Sequence, residues 1–589
     1  MSFSNKYYGV LSAAALVFAA GQASAGALGA PNEIFIGGAT AVQETFHLDI
    51  MLRFCNYDGN VNDADGVITP QVFVDQVLVV PGGGNGANAL PALNHRNQQV
   101  THCNFKPALG GNLAGAQTAV YKYNGGSGTG VAPVANPTVA PAADQTFMNA
   151  SVASCPQVIP TSNAGPGDTF LSVDGVTRFK LYDCPDTALN VTQAPDGGIS
   201  DVEPKVFVGQ LATGFGTSVP GIPDKAQNDF VDSGNLIVKT GPGIVFGVAA
   251  TLAMYDELIN DQQAAGLLPT CPASPTRAQR DSLACMPSFP TAMVQSVATG
   301  ELANWQTRNP YGLQLNPPAF VANGSQGNKV NFVRRTAGSG THAQFMVNFL
   351  RTNCINNSPV VKTFANNVPN VVVAPQVYEN EGSGNIDLAM QALATGGGYN
   401  GGFTDGLTVF PAAPTAGNGN SSVVPTGRTA YALTYNSLER NASLARQYRF
   451  MKLDFVAPTL ANAHSGAYSD IYYLSYQNRV DGNGNPATRT GGVRTVAADA
   501  GEVQVLKEFF ADWNSPDAAA VDAVNDGLVV NPDGIANNGD EWQGGLMSAS
   551  KTAPQVFSGG PTGNDPRTPW ARETPGGSAD SCQELSYKN

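Results

Sequence analysis

Twice along this chain a short β-type run stops at small residues and gives way at once to an apolar stripe of helical spacing. Glu33-Ile34-Phe35-Ile36 ends at Gly37-Gly38, and Val42, Phe46, Ile50 and Phe54 then recur every fourth residue. Val330-Asn331-Phe332-Val333 leads through a Gly-Ser-Gly turn to a helix whose predicted buried face is Phe345, Met346, Phe349 and Leu350. Strand, turn and helix in that order are the pieces of βαβ units, so an α/β fold is expected. Further helices are predicted at 289–299, 383–394 and 501–513, the last aligning Val503, Leu506, Phe510 and Trp513. Between these elements, segments 79–98, 124–144, 396–426, 480–496 and 530–575 are rich in Gly, Asn and Pro and read as long loop insertions. No internal repeat of fixed period is present.

At 589 residues the chain is too long for one core and calls for roughly two to four domain-sized units. Its 42% hydrophobic content excludes wholesale disorder. Charged residues make up 13%, well under the usual quarter, so the surface is kept wet by amides, hydroxyls and backbone. Asp and Glu exceed Lys and Arg by 45 to 31, with no basic run anywhere. A nucleic-acid groove or an anionic membrane surface needs clustered Lys and Arg, so neither is an expected partner.

The first 25 residues read as a secretory signal peptide. Lys6 precedes the short apolar run VLSAAALVFAA, and Ala23-Ser24-Ala25 supplies the small-residue cleavage pattern, with the mature chain starting near Gly26. That run is too short to span a bilayer, and no Cys follows the cleavage point to carry a lipid. The expectation is export, to the periplasm or beyond the cell. Export makes the eight cysteines readable as structural disulfides, since they are scattered without any CxxC. Connectivity does not follow from sequence. The pairs expected are Cys55–Cys103, Cys155–Cys184, Cys271–Cys285 and Cys354–Cys582, of which only the short loop between Cys271 and Cys285 is favoured by spacing itself.

Three turns share one logic, a strand end followed by small residues and a helix start, which aims unpaired N–H groups and a helix dipole at one point. They are Gly38-Ala39-Thr40-Ala41, Gly126-Ser127-Gly128-Thr129-Gly130 after the run Ala119–Tyr123, and Arg335-Thr336-Ala337-Gly338-Ser339-Gly340-Thr341. Each also has a plain reading. Thr40 with Gln43, and Thr341 with Gln344, match a capping box, and a lone Gly-Ser-Gly is commonly just a turn. Arg335 shifts the balance at the third turn by adding a planar donor fork for an oxyanion. A fourth feature, Ile199-Ser200-Asp201-Val202-Glu203-Pro204, read alone makes Asp201 a helix cap ahead of Pro204.

In order along the chain stand GGATAVQETF, YNGGSGTG, GGISDVEP, PGIVFGVAA, GELANW and RRTAGSGTHAQF. This ordered set resembles the periplasmic phosphate-binding proteins of ABC importers, which have the two-lobed type II "Venus flytrap" fold. The resemblance spans roughly 33–355 in pieces, with weaker echoes to about 513, and Arg-x-x-Gly-Ser-Gly-Thr is its most specific motif. It implies a dehydrated phosphate between two lobes. The residues it implies are Thr40, Ala41, Ser127, Asp201, Arg335, Ser339, Gly340 and Thr341. Asp201 as a carboxylate only accepts, so it favours an anion that still carries a proton over sulfate, which carries none. The family's usual aromatic after the first Thr is Ala41 here, and an Asp often found inside the Arg motif is Ala337.

Other chemistry is thin. The five histidines show no zinc spacing, no G-x-S-x-G elbow exists, and no cofactor is implied. His342 reads as a solvent-facing helix residue and Lys122 as a solvated strand residue. The acidic stretch Asp58–Gly66 fails an EF-hand register, which would put Val61 and Val72 at ligand positions, and reads as a polar loop.

The expected architecture is two α/β lobes, one from 26–245 with a return over 466–589, the other from 246–465. The expected function is capture of inorganic phosphate or a similar oxyanion, without catalysis, for delivery to an ABC importer permease. A secreted or surface assembly protein that reuses the fold is the alternative, favoured by chain length and polar insertions. A phosphoryl hydrolase is the third, and no metal cluster or activated nucleophile supports it.

Overall fold

The computed structural model describes, in the main, residues 28–75, 98–207, 236–302, 330–354, 376–400, 423–479, 546–549, 567–572 and 580–587, with short gaps inside these spans. The predicted signal peptide, the predicted helix at 501–513, and Thr40 and Ala41 lie outside the described residues.

The strands that position the site are β1 (Asn32–Gly38), β2 (Gln71–Val74), β3 (Gln98–Asn104), β4 (Gln117–Tyr123), β5 (Arg178–Asp183), β6 (Gly197–Ser200), β7 (Leu236–Thr251), β8 (Asn331–Arg335), β9 (Gln376–Asn380), β10 (Ala432–Ser437) and β11 (Ile471–Arg479). The helices are α1 (Leu252–Ala264), α2 (Thr291–Thr299), α3 (Gly340–Leu350) and α4 (Ser383–Thr395). The predicted strands, the helices at 289–299 and 383–394, and the helix predicted to bury Phe345, Met346, Phe349 and Leu350 fall on observed elements within a few residues. Within the four-residue stripe after β1, Phe46 and His47 are α-helical. Its end, Ile50–Phe54, winds as a π-helix, although Phe46, Ile50 and Phe54 are buried as their spacing requires.

One mixed sheet carries the architecture, in the order β9-β8-β10-β7-β11-β6-β1-β4-β3-β2-β5, with shorter strands at its margins. Two parallel triplets sit within it. In one, β1 lies between β6 and β4; in the other, β8 lies between β9 and β10. The triplets are joined by β7 and β11. The first part of β7, Leu236–Val245, pairs antiparallel with β11, and its last part, Phe246–Ala250, pairs with β10. The register of β7 against β11 shifts between Thr240 and Gly243.

Strands of the first triplet are buried on both faces, and in β1 this shows as the apolar run Ile34-Phe35-Ile36. Ile34 and Ile36 enter the core that holds Phe46, Ile50 and Phe54, while Phe35 faces a second, smaller core. That second core is largely aromatic: Phe35 stacks on Tyr121 at 4.6 Å between centroids and meets Phe147 edge-on at 4.9 Å. In the second triplet, α3 packs Phe345 and Phe349 against Tyr435 of β10.

Four disulfides close Cys55–Cys103, Cys155–Cys184, Cys271–Cys285 and Cys354–Cys582. The stretch Asp58–Gly66 is a polar loop held by its own side chains: Asp58 accepts from Asn60 N, Asp65 accepts from Val67 N, and Asp63 pairs with Lys180 at 2.7 Å. Among the described residues, no helix is long and apolar enough to cross a membrane.

Candidate anion-binding site

The carboxyl ends of parallel strands are where an α/β sheet leaves a crevice for ligands, because each chain turns away there into a helix. In this fold both triplets turn their carboxyl ends to the same place. From one come Gly38 at the end of β1, Ser127 beyond β4 and Asp201 after β6. From the other come Arg335 at the end of β8 and the first residues of α3.

Close approach at this point depends on glycine. Gly38 has φ +123°, and a Cβ there would stand 1.9 Å from the carbonyl oxygen of Ile199. Ala39 N then donates to that same Ile199 oxygen at 2.8 Å, which locks the first turn onto β6. Across the two triplets, a Cβ on Gly340 would lie 2.2 Å from Ser127 Oγ and 2.7 Å from Asp201 Oδ2. The start of α3 therefore rests directly on Ser127 and Asp201.

Asp201 is the centre of the contact and is 1% exposed. Its N–H donates to Ser127 Oγ at 3.0 Å, and the Ser127 hydroxyl and the Thr341 N–H both bond its carboxylate. Its Oδ1 accepts no hydrogen bond among the described residues, and neither does Thr341 Oγ1 find a partner there. Burial pushes the Asp201 carboxyl above its usual range; Arg335, the Ser127 hydroxyl, Lys122 and the Thr341 N–H all pull against that shift. The helix-cap reading of Asp201 does not survive, since this side chain serves the contact between the triplets.

The capping box at Thr341 is also corrected. The N-cap of α3 is Ser339, whose Oγ accepts from His342 N at 3.5 Å. Thr341 already lies inside the helix, and Gln344 turns instead to donate to the backbone oxygen of Asp201 at 2.6 Å. Tertiary contact has taken the Gln344 side chain from the local motif.

Arg335 is buried, and its Nη1 donates to Ser383 Oγ at 2.7 Å. Ser383 opens α4 within Gly382-Ser383-Gly384, the same strand, small-residue turn and helix start as the three turns recognised in sequence. That repetition of Gly-Ser-Gly after a strand was a usable signal. Arg335 is paired in register with Asn380, whose Oδ1 is buried without a partner among the described residues.

Two expectations of exposure fail. His342 is 2% exposed, with Nε2 3.2 Å from Arg334 Nη1, and burial with the two neighbouring arginines drives its pKa well down. Lys122 is fully buried: Nζ donates to the carbonyl oxygens of Ala39 and Tyr123, each at 3.1 Å. Burial pulls its pKa down to about 7, with Asp201 opposing the shift.

The structure thus brings Ser127, Asp201, Arg335, Ser339, Gly340 and Thr341 to one crevice, with Lys122 beneath. The arrangement offers N–H and hydroxyl donors, a guanidinium, and one acceptor, all out of bulk water. Such a set has the donors and the acceptor to hydrogen-bond an oxyanion.

No family model matches the chain, and no curated protein does. Among solved structures, similarity is found to a Clostridium perfringens protein assigned to phosphate ABC transport as its substrate-binding protein and solved with phosphate bound. It is 11% identical, covers 84% of this chain and 97% of its own, and has a TM-score of 0.31. PstS from Borrelia burgdorferi is 10% identical over 84% of this chain and 97% of its own, at 0.27. An ABC-type phosphate transport receptor from Vibrio cholerae is 10% identical over 56% and 77%, at 0.25. Scores this low leave fold and ligand to be argued from this chain's own residues.

Proposed function

We propose that this chain is an exported binding protein that captures inorganic phosphate, or an oxyanion of the same shape that carries a proton, between two lobes. One lobe is taken to comprise 26–245 with the return over 466–589, and the other 246–465, in the manner of type II periplasmic binding proteins. The chain reversals at β7 and β11 would then form the hinge.

The observation that supports this best is the pair of buried polar atoms at the contact that have no hydrogen-bond partner among the described residues, Asp201 Oδ1 and Thr341 Oγ1. A buried polar atom without a partner costs free energy, roughly 1–3 kcal/mol, unless something is meant to fill it. Here one is an acceptor and the other a hydroxyl, at the positive end of an eleven-residue helix and within the field of Arg335. A protonated oxyanion satisfies both, giving its proton to Asp201 and accepting from Thr341, the N–H groups of α3 and Arg335. Ser339, Gly340 and Ser127 contribute from the turns, and Thr40 with Ala41 belongs to the same set by the family resemblance. Four disulfides fit an oxidising compartment, and delivery to an ABC importer permease is the transport role such capture serves.

The test is calorimetry with phosphate on ligand-stripped protein, beside Arg335→Ala and with sulfate as competitor. Binding that sulfate leaves intact and Arg335→Ala abolishes is the expected result. A folded protein that binds no phosphate would move the assembly reading to the front.

A further inference from the structure

The fourth Gly-Ser-Gly turn, Gly382-Ser383-Gly384, has no part in the ligand set drawn from the sequence, yet Arg335 bonds to it. β8 and β9 run parallel with Arg335 opposite Asn380 in register, so the two side chains leave the same face of the sheet. Arg335 Nη1 meets Ser383 Oγ three residues past Asn380, which lays the guanidinium over the turn that Asn380 begins. An oxyanion held by Arg335 is therefore placed beside the carboxyl end of β9 as well.

Asn380 is 0% exposed. Its Nδ2 donates to the carbonyl oxygen of Tyr378 at 3.5 Å, and that carbonyl tells the nitrogen end of the amide from the oxygen end. The other end, Oδ1, has no hydrogen-bond partner among the described residues. A buried amide oxygen in that position only accepts, and leaving it unfilled costs free energy. It answers Asp201 Oδ1 on the opposite wall, a second buried acceptor in the same condition. One acceptor thus comes from each strand triplet, with the donors of α3 and Arg335 between them.

Resting on the oxyanion reading above, we propose that Asn380 is a second acceptor for the ligand, so that the site takes the singly charged, doubly protonated oxyanion, giving one proton to Asp201 and the other to Asn380. A singly protonated dianion would satisfy one of the two and set a bare oxygen against the other. Dihydrogen phosphate still keeps two unprotonated oxygens for Arg335, Thr341 and the N–H groups of α3. The charged groups about Asn380 are Arg335 on β8 and Asp201 across the crevice. Arg334 and Glu379, the neighbouring register pair, leave the opposite face and pair with each other at 3.2 Å, and Asp387 on α4 is held by Arg440 at 2.7 Å. Asn380 does not titrate, so the pH dependence that it imposes is the ligand's own, whose second proton leaves near neutrality.

The experiment measures inorganic phosphate binding by calorimetry to the full mature chain, wild type and Asn380→Leu, from about pH 6 to about pH 8.5. Leucine keeps the volume and removes the acceptor, so the variant takes the singly protonated anion without penalty. The expected result is a wild-type advantage of roughly threefold to tenfold at the acid end, which shrinks as pH rises and passes to the variant at the alkaline end. Groups that titrate alike in both proteins, Asp201, Lys122 and His342 among them, cancel in the ratio. Infrared difference spectra of phosphate bound to the wild type give a second reading that needs no variant, because the P–O stretches of the doubly and singly protonated anions differ in symmetry. Bands of the doubly protonated form that persist at about pH 8 support the proposal even if Asn380→Leu does not fold. A ratio that stays constant across pH, or bound bands of the singly protonated form at every pH, overturns it while leaving phosphate binding intact. Absence of phosphate binding by the wild type removes the oxyanion reading itself, and this proposal with it.

Discussion

Gly340 and Ser127 touch across the crevice so closely that a methyl group on the glycine would lie 2.2 Å from the serine oxygen. The two residues belong to different strand triplets, so their contact defines how nearly the walls can approach. Gly340→Ala should hold the walls apart without disturbing either core, since alanine is the better helix former. Phosphate affinity is expected to fall by about tenfold or more, about 1.4 kcal/mol, with little loss of thermal stability. Unchanged affinity in a folded Gly340→Ala protein would show that ligand does not need this contact.

On the proposed function, Asp201 is the residue expected to decide between anions. Asp201→Asn replaces an acceptor by a group that also donates, which removes the repulsion against a fully ionised ligand. Phosphate binding should weaken by roughly 1.5–3 kcal/mol, the worth of a hydrogen bond to a charged group, while sulfate becomes a competitor. Competition titrations read both changes, and a variant as indifferent to sulfate as its parent would remove Asp201 from the selectivity argument.

Asp470, buried ahead of β11, accepts the Tyr435 hydroxyl at 2.7 Å and is pushed up to about 7 by burial. In the unfolded chain its pKa lies near 3.8, so between about pH 4 and pH 7 the native state binds more protons. Stability from this group is therefore present in acid and is lost as pH rises through the folded value. Asp470→Asn should flatten that fall, leaving a variant close to its parent at about pH 5 and more stable by up to a few kcal/mol at about pH 8. Urea midpoints at the two pH values check it; equal slopes in both proteins would contradict it.

How far the site could be read from sequence depended on whether its signals were local. Arg335, Ser339 and Thr341 stand within seven residues of one another, and the turn that holds them is written in Gly338-Ser339-Gly340. Lys122 could not be read that way. A lysine in a run such as Tyr121-Lys122-Tyr123 looks solvated until β1 and β3 are known to flank it, and those pairings come from distant sequence. His342 failed for the same reason, because the side of α3 that meets Arg334 is set by how β8 and the helix pack. Ser383 differs: its Gly-Ser-Gly turn was visible, and only its link to Arg335 required the fold. The stripe after β1 kept the burial that spacing foretold and is α-helical at Phe46 and His47, and its end at Ile50–Phe54 widens to a π-helix.

The C-terminal residues 580–585 reach both walls of the crevice. Glu203, two residues beyond Asp201, is buried and accepts from the N–H and the hydroxyl of Ser581. The neighbouring Cys582 is bonded to Cys354, just past α3, and Arg351 at the end of that helix pairs with Glu584. A segment tied to β6 through Glu203 and to α3 through Cys354 resists any motion that parts the two triplets. The disulfide closes a loop with a sequence separation of 228, long enough for a large share of its effect to fall on the unfolded chain. Cys354→Ser with Cys582→Ser should therefore cost about 2–4 kcal/mol against urea. It should also speed both association and release of phosphate in stopped-flow measurements, because the walls open more readily. Slower or unchanged exchange in the double variant would mean that the tail braces one side of the crevice alone.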